Sequence, residues 1–428
     1  MDAHAAQALI RFGLGRRGSE PVPTDPPAWL AGQINAPDPA LGEPITRSGD
    51  ALDAWRDSRK PTAPDPNRLR DLIAADRAIA MRILVTTDVP FRERLVWFWA
   101  NHFTVSWRKG EIRQLILPYV QEAIRPHVTG RFVEMLQAVI RHPAMLWYLD
   151  NTDSIGPDSK GGLHAHRGLN ENLARECLEL HTIGSEAGYT QRDVTEFAKV
   201  LTGWSISNPN QPSGFFFFPE RHQPGDKTVM GMTFPEGEQG GIAVLAWLGN
   251  HPMTFRHVAT KLVRHFVADD PAAADVKRIA GVLRDTRGDL KAAALELVRL
   301  PSAWQPLGKL RAPSDYVVAA VRALDLPQGN QPDIPAVMGT LGQPFMSAPL
   351  PNGWPDTAAA WADGEMLLRR ADWALAVAGR RPDLDPVEVA QASLGPLLRP
   401  DTLRAVQHAA SQREALALLL ASPEFQRR

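Results

Sequence analysis

Apolar side chains recur three and four positions apart over most of this chain, the period of an amphipathic helix and not of a strand. The pattern is present in "AAQALIRFGL", residues 5–14, and stops at Gly15. In "NRLRDLIAADRAIAMRILVTT", residues 67–87, it predicts a helix with a polar outer face. "PFRERLVWFWANHFTVSW", Pro90 to Trp107, differs: Leu95, Val96, Trp97, Phe98, Trp99 and Phe103 surround the axis, as in a helix buried inside a domain. Helical periodicity continues through "LPYVQEAIRPHV" and "RFVEMLQAVIRHPAMLWYL" to about Leu149. It returns in "LNENLARECLELHTIG", Leu169 to Gly184, and in "EAGYTQRDVTEFAKVLTGW", where Thr190 is a candidate N-cap with Asp193 three positions on. Further helices are predicted at 242–249, 254–268, 272–285, 289–299 and 314–324, with two or three more between Asp356 and Phe425.

Three stretches break the period. Residues 21–66 are rich in Pro, Asp and Gly and read as an irregular N-terminal arm with a brief helical interlude at "PAWLAGQI". Residues 205–241, with the run Phe215 to Phe218, predict a β-hairpin or ordered loop that could act as a lid. Residues 326–356 read as a long loop. The elements together predict a mainly α fold, one large multi-helix domain over 1–428 with a small hairpin-like insertion.

Composition narrows the partners. With 47 Lys+Arg against 48 Asp+Glu, the net charge of −1 sets up no global field toward nucleic acid or an anionic membrane, so neither is expected. No apolar run of about 18 residues suggests a membrane span. The single cysteine, Cys177, rules out an intrachain disulfide and argues against a cysteine zinc cluster. The first residues lack the apolar stretch of a signal peptide, so the chain as written reads as cytoplasmic; a mature N-terminus behind a new Met1 would look the same.

The densest chemistry is in Leu169 to Gly184. At about 100° per residue, Glu171, Arg175, Glu179 and Thr182 share one sector, with Asn172 and Glu176 at its edge, whereas His181 falls on the apolar side near the helix end, as a packed residue or a partner of the helix dipole. Two readings stay open. The face is a solvated ladder of pairs worth about 0.2–0.5 kcal/mol each, or it lines a cleft in which one carboxylate is held ionised and another works as acid or base. His102, on its own apolar helix, needs a buried partner and is either a satisfied core histidine or a proton relay oriented by Glu176 or Glu179. His164 and His166 flank the face. The residues name no cofactor: Glu176 to Glu179 is E-x-x-E, not the E-x-x-H of di-iron bundles, so His102, Glu171, Glu176 and Glu179 would hold a transition metal only by tertiary convergence.

Candidate binding residues lie elsewhere. His257, Lys261 and His265 recur every fourth position beside an apolar stripe, a ridge for an anion or merely a solvated face. His222 and Lys227 flank a Pro-Gly turn in "RHQPGDKTVMG". Tryptophans stand beside glycine turns in "LTGW", at Trp204, and in "LPNGWPD"; core anchoring and sugar stacking both fit. "RFGLGRRG" follows no strand and is no nucleotide signal.

The segments "RERLVWFWANHFTVS", "HPAMLWYLDN", "NENLARECLELHTIG", "RHQPGDKTVMG", "HPMTFRHVATKLVRHFV", "KLRAPSDYVVAAVRAL" and "ASPEFQRR", in this order, resemble the bacterial family called domain of unknown function 1800, from about Ala5 to Arg428. The resemblance implies little about activity. It does imply frequent export, and a functional partner from a second uncharacterised family with a sulfatase-like fold. The function expected from all this is a hydrolase- or transferase-type enzyme acting on a polar substrate such as a saccharide. His102, Glu171, Arg175, Glu176 and Glu179 would supply catalysis, and Asn170, Trp204, His222, Lys227 and Lys261 would contact substrate. The alternative is a non-catalytic helical binding or assembly protein with a structural ion-pair network. The deciding geometry is whether Glu176 and Glu179 come within about 3 Å of His102.

Overall fold

Proline decides where many of the helices start. In the computed structural model of the chain, which describes residues 1–18, 20–61, 65–165 and 168–428, helices Pro26–Asn35, Pro90–His102, Pro143–Tyr148, Pro252–Phe266, Pro313–Ala323, Pro386–Leu394 and Pro400–Gln407 all open on this residue. Its fixed φ suits the first turn, and its missing N–H is one the helix would leave unbonded there. Among the described residues the fold is mainly α: twenty-one α-helical segments joined by short 3-10 and π turns, and two antiparallel two-stranded ribbons. None of these helices is long and apolar enough to cross a membrane.

Two apolar cores form. The larger gathers helices Pro90–His102, Phe132–Arg141, Gln191–Leu201 and Pro252–Phe266. The smaller gathers helices Pro313–Ala323, Gly364–Ala378 and Gln412–Ala421 with the end of Arg68–Thr86. Trp97, Trp107 and Met346 pack against both, so helix Pro90–His102 lies along the seam. As predicted, Leu95, Val96, Phe98 and Trp99 are buried. The charged first turn of this helix is buried too, each group with a partner. Glu93 takes Arg125 at 2.7 and 2.9 Å, and Arg92 donates to the carbonyls of Gln33, Ile34 and Ala36 at the end of helix Pro26–Asn35.

The three irregular stretches are more ordered than their composition suggests. The 21–66 arm, apart from 62–64, which lie outside the described residues, holds a second helix, Ser48–Ser58. Its stripe of Ala51, Leu52 and Ala54 is too short and small to stand out in the sequence. Residues 205–241 make two ribbons: Trp204–Ile206 with Phe215–Phe217, and Lys227–Val229 with Met232–Phe234. The 326–356 stretch contains helix Ile334–Thr340 and then runs on without helix across the seam.

Candidate functional site

The basic ridge turns inward. On helix Pro252–Phe266, His257, Lys261 and His265 repeat at the four-residue spacing that aligns side chains on one face. That face lies against helix Pro90–His102, the 350–356 loop and the turn after Glu176, and all three residues are less than half exposed. The loop is pinned by a two-way bridge: Asn101 Nδ2 donates to the Trp354 carbonyl at 2.9 Å, and Trp354 N–H donates to Asn101 Oδ1 at 2.8 Å. Gly353, with φ of 77°, makes this approach possible; a Cβ there would collide with the Asn101 carbonyl and sit 2.8 Å from Thr104 Oγ1. Asp269, which takes Lys309 Nζ and the Ala358 N–H, and Lys309 Nζ, which donates to the Asp356 carbonyl at 2.7 Å, secure the loop's far end.

The loop delivers Asp356 to His265, whose Nδ1 is 2.6 Å from Asp356 Oδ1. Burial would raise the Asp356 carboxyl, but His265, Arg428 and Lys261 outweigh it and bring it down to about 2. The carboxylate therefore accepts, Nδ1 carries the proton, and Nε2 presents a lone pair. Burial lowers the His265 pKa despite Asp356, so the ring is neutral near pH 7. Its Nε2 is buried and has no hydrogen-bond partner. His265 and Asp356 line a cavity of about 130 Å³ at the seam, together with Asn101, Trp97, Trp354 and Arg428. Behind them, Asp315 takes Arg94 at 3.0 and 3.1 Å, and Arg428 Nε lies 3.2 Å away.

A second histidine group adjoins this one. His102 is buried with Nε2 3.2 Å from the His181 carbonyl, and His257 Nε2 is 3.0 Å from the Leu180 carbonyl. A carbonyl only accepts, so both Nε2 atoms carry the proton, and His102 Nδ1 is a buried lone pair without a partner. Burial first, then Lys261, His257 and His181, push the His102 pKa well down. These carbonyls come from a π turn, Cys177–His181, that follows the short helix Asn172–Glu176. The wider turn breaks the wheel drawn at α-helical spacing. Thr182, expected on the polar sector, is buried and donates to the Cys177 carbonyl at 2.6 Å.

The other sequence candidates are dispersed. Glu171 accepts from Arg175 at 2.9 Å, Gln191 at 2.7 Å and Thr195 at 2.6 Å in a half-exposed network. Glu179 accepts from Tyr189 at 3.4 Å, and the Glu176 pKa is raised by burial and by Glu179. Neither carboxylate is among the charged groups that act most on His102, and among the described residues no group of three or more His, Cys, Asp or Glu could hold a metal ion. Asn170 Oδ1 caps the start of its helix through the Asn172 N–H at 2.9 Å. Trp204 is fully buried in its strand against Phe215, under Gly241. His222 and Lys227 are buried together in the hairpin, where His222 Nε2 accepts from Gly237 N–H at 2.9 Å and lies 3.0 Å from Lys227 Nζ. His164 Nδ1 donates to the Lys160 carbonyl at 2.7 Å, and His166 lies outside the described residues. Of the predicted set, the folded chain brings His102 and Lys261 together from separate helices, and pairs Glu171 with Arg175 and His222 with Lys227 locally.

Sequence reasoning passed over Arg94, Asp315, Asp356 and Arg428. Each stands in or beside a segment singled out above, and the one available signal was a charged residue next to large apolar ones. What results is a mainly helical protein with a desolvated cluster of histidine, aspartate and arginine side chains on a cavity between two cores. The chain belongs to the family described as Protein of unknown function (DUF1800), whose model matches residues 7–427. No curated protein and no solved structure matches it.

Proposed function

We propose that the protein is an enzyme of the hydrolase or transferase type, with His265 as general base and Asp356 as its positioning partner. The observation that carries this is the 2.6 Å contact between His265 Nδ1 and Asp356 Oδ1 beside a cavity, with Nε2 left unpartnered. An ionised aspartate on one ring nitrogen sets the tautomer and leaves the other nitrogen to take a proton from water or a substrate hydroxyl, as in histidine-dependent acyl transfer. Lys261, whose pKa burial lowers, adds positive charge that acts on Asp356 and His102. A cavity of about 130 Å³ with mostly apolar walls favours a small substrate over a saccharide polymer.

The test is a panel of p-nitrophenyl esters, phosphates and glycosides with the full-length protein. One class should be turned over, and His265→Gln should reduce that rate by about 100-fold or more while far-UV circular dichroism stays unchanged. A folded His265→Gln variant with the parental rate, or no turnover of any class, would overturn the reading. A second reading, a helical binding protein, draws on the half-exposed Glu171, Arg175, Gln191 and Thr195 network as a partner surface. It predicts that Glu171→Gln weakens a partner complex and leaves the panel unaffected, which a pull-down with the variant would decide.

A further inference from the structure

Three polar atoms on residues lining the cavity are buried without a hydrogen-bond partner: His265 Nε2, Arg428 Nη1 and Arg428 Nε, the last lying 3.2 Å from Asp315 Oδ2. Arg428 itself is 3% exposed, and its Nη2 is already spent on the His265 carbonyl at 3.1 Å. The local charge is unbalanced in the same sense. Three guanidiniums, of Arg94, Arg311 and Arg428, gather around two carboxylates, of Asp315 and Asp356, and Arg311 Nη1 is also buried and unpartnered. A desolvated excess of positive charge is unfavourable, and an anion entering the cavity would relieve it. Most of the remaining wall is apolar, with Leu14, Phe98, Val105 and Phe345, broken by Asn101, Thr104, Ser314 and Gln343. The volume of about 130 Å³ is close to the roughly 150 Å³ of an apolar cavity that takes up benzene.

We infer that the cavity binds a small organic anion, a carboxylate on an apolar body about the size of a benzene ring, with the carboxylate on Arg428 and the body against Phe98 and Val105. The inference rests on the acid/base reading only for the place of the reacting bond, beside His265; binding itself does not require it. Guanidinium suits the role because its fork matches a planar carboxylate and its charge persists when buried.

Isothermal titration of the full-length protein with benzoate and with benzamide, its neutral isostere, tests this. Benzoate should bind saturably at one site and benzamide at least about tenfold more weakly. Arg428→Met should weaken benzoate by about 30-fold or more, the loss typical of removing one member of a buried charge pair. The contrast between the two probes in the unmodified protein stands even if that variant fails to fold. Equal affinity for both probes, or no heat from benzoate, would overturn the inference. The two proposals fail separately. Benzoate binding with no turnover dependent on His265 would sink the enzyme and leave the anion site, whereas such turnover without benzoate binding would sink the anion site alone.

Discussion

Gly353 holds a backbone conformation in which a side chain is strained, and it does so where the loop must touch helix Pro90–His102. Gly353→Ala should cost about 1–3 kcal/mol from the positive φ, and the collision with Asn101 should displace Trp354 and Asp356 together. Urea denaturation would measure it; a loss below about 0.5 kcal/mol would mean that the loop relaxes freely. The same reasoning separates a positioning residue from a catalytic one. Asp356→Asn keeps the shape of the side chain and removes the charge that fixes the His265 tautomer. Turnover should fall with little change in KM, and its pH profile should shift as His265 loses its anionic partner. An unaltered profile would place Asp356 outside the reaction.

The π turn at Cys177–His181 is the element that makes the second histidine group. By closing its turn one residue wider, it directs successive carbonyls, Leu180 and His181, to the rings of His257 and His102. Burial, with His257 and Lys261 nearby, lowers His181 to about 3, and burial with Lys261 lowers His257 to about 4. The unfolded chain protonates these residues near their ordinary pKa of about 6.5, but the folded one does not until well below that. Between about 6.5 and 4 the unfolded state therefore binds more protons, so stability falls as pH falls. Each histidine contributes a slope of about 1.4 kcal/mol per pH unit in that window. The depressed carboxyl of Asp356, at about 2, adds a loss only below the ordinary carboxylate range. Unfolding free energy from urea melts at pH 7, 6 and 5 should drop steadily, and His181→Phe should flatten the slope. A flat profile in the unmodified protein would mean that water reaches these rings.

At the scale of the molecule, Asp315 joins the two cores. It sits on helix Pro313–Ala323 of the smaller core and binds Arg94, on helix Pro90–His102 of the larger one. Asp315→Asn would deprive Arg94 and Arg428 of the carboxylate they share, a loss of about 3–5 kcal/mol for breaking a buried pair. Chemical denaturation should show the drop, together with a second transition where the cores separate. A single transition with less than about 1 kcal/mol lost would show that the network is no tie. The cavity lies where the two cores meet, and seams of this kind are where binding sites collect.

Much of the architecture was legible in local pattern. The period of apolar residues predicted helices such as Arg68–Thr86, Ala273–Asp285 and Pro313–Ala323 to within a residue or two of their ends, and helix–coil choice depends on neighbours within a turn or two. The all-round apolar helix after Pro90 and the capping pair Thr190 with Asp193 were equally local, and were found. The site was legible only in part. His102 and Lys261 were chosen from the sequence, and the ridge of His257, Lys261 and His265 was visible as spacing, but whether that face met water or protein depended on packing. Asp356 lies 91 positions from His265, and Asp315 lies 221 positions from Arg94. No periodicity links residues so far apart. The helix from Leu169 to Gly184 shows the same limit from the other side: its charged face was read at 3.6 residues per turn, and a π turn re-aimed it. Sequence alone determined the helices and their order; tertiary packing decided which charged groups lost their water, and with it where the chemistry could be.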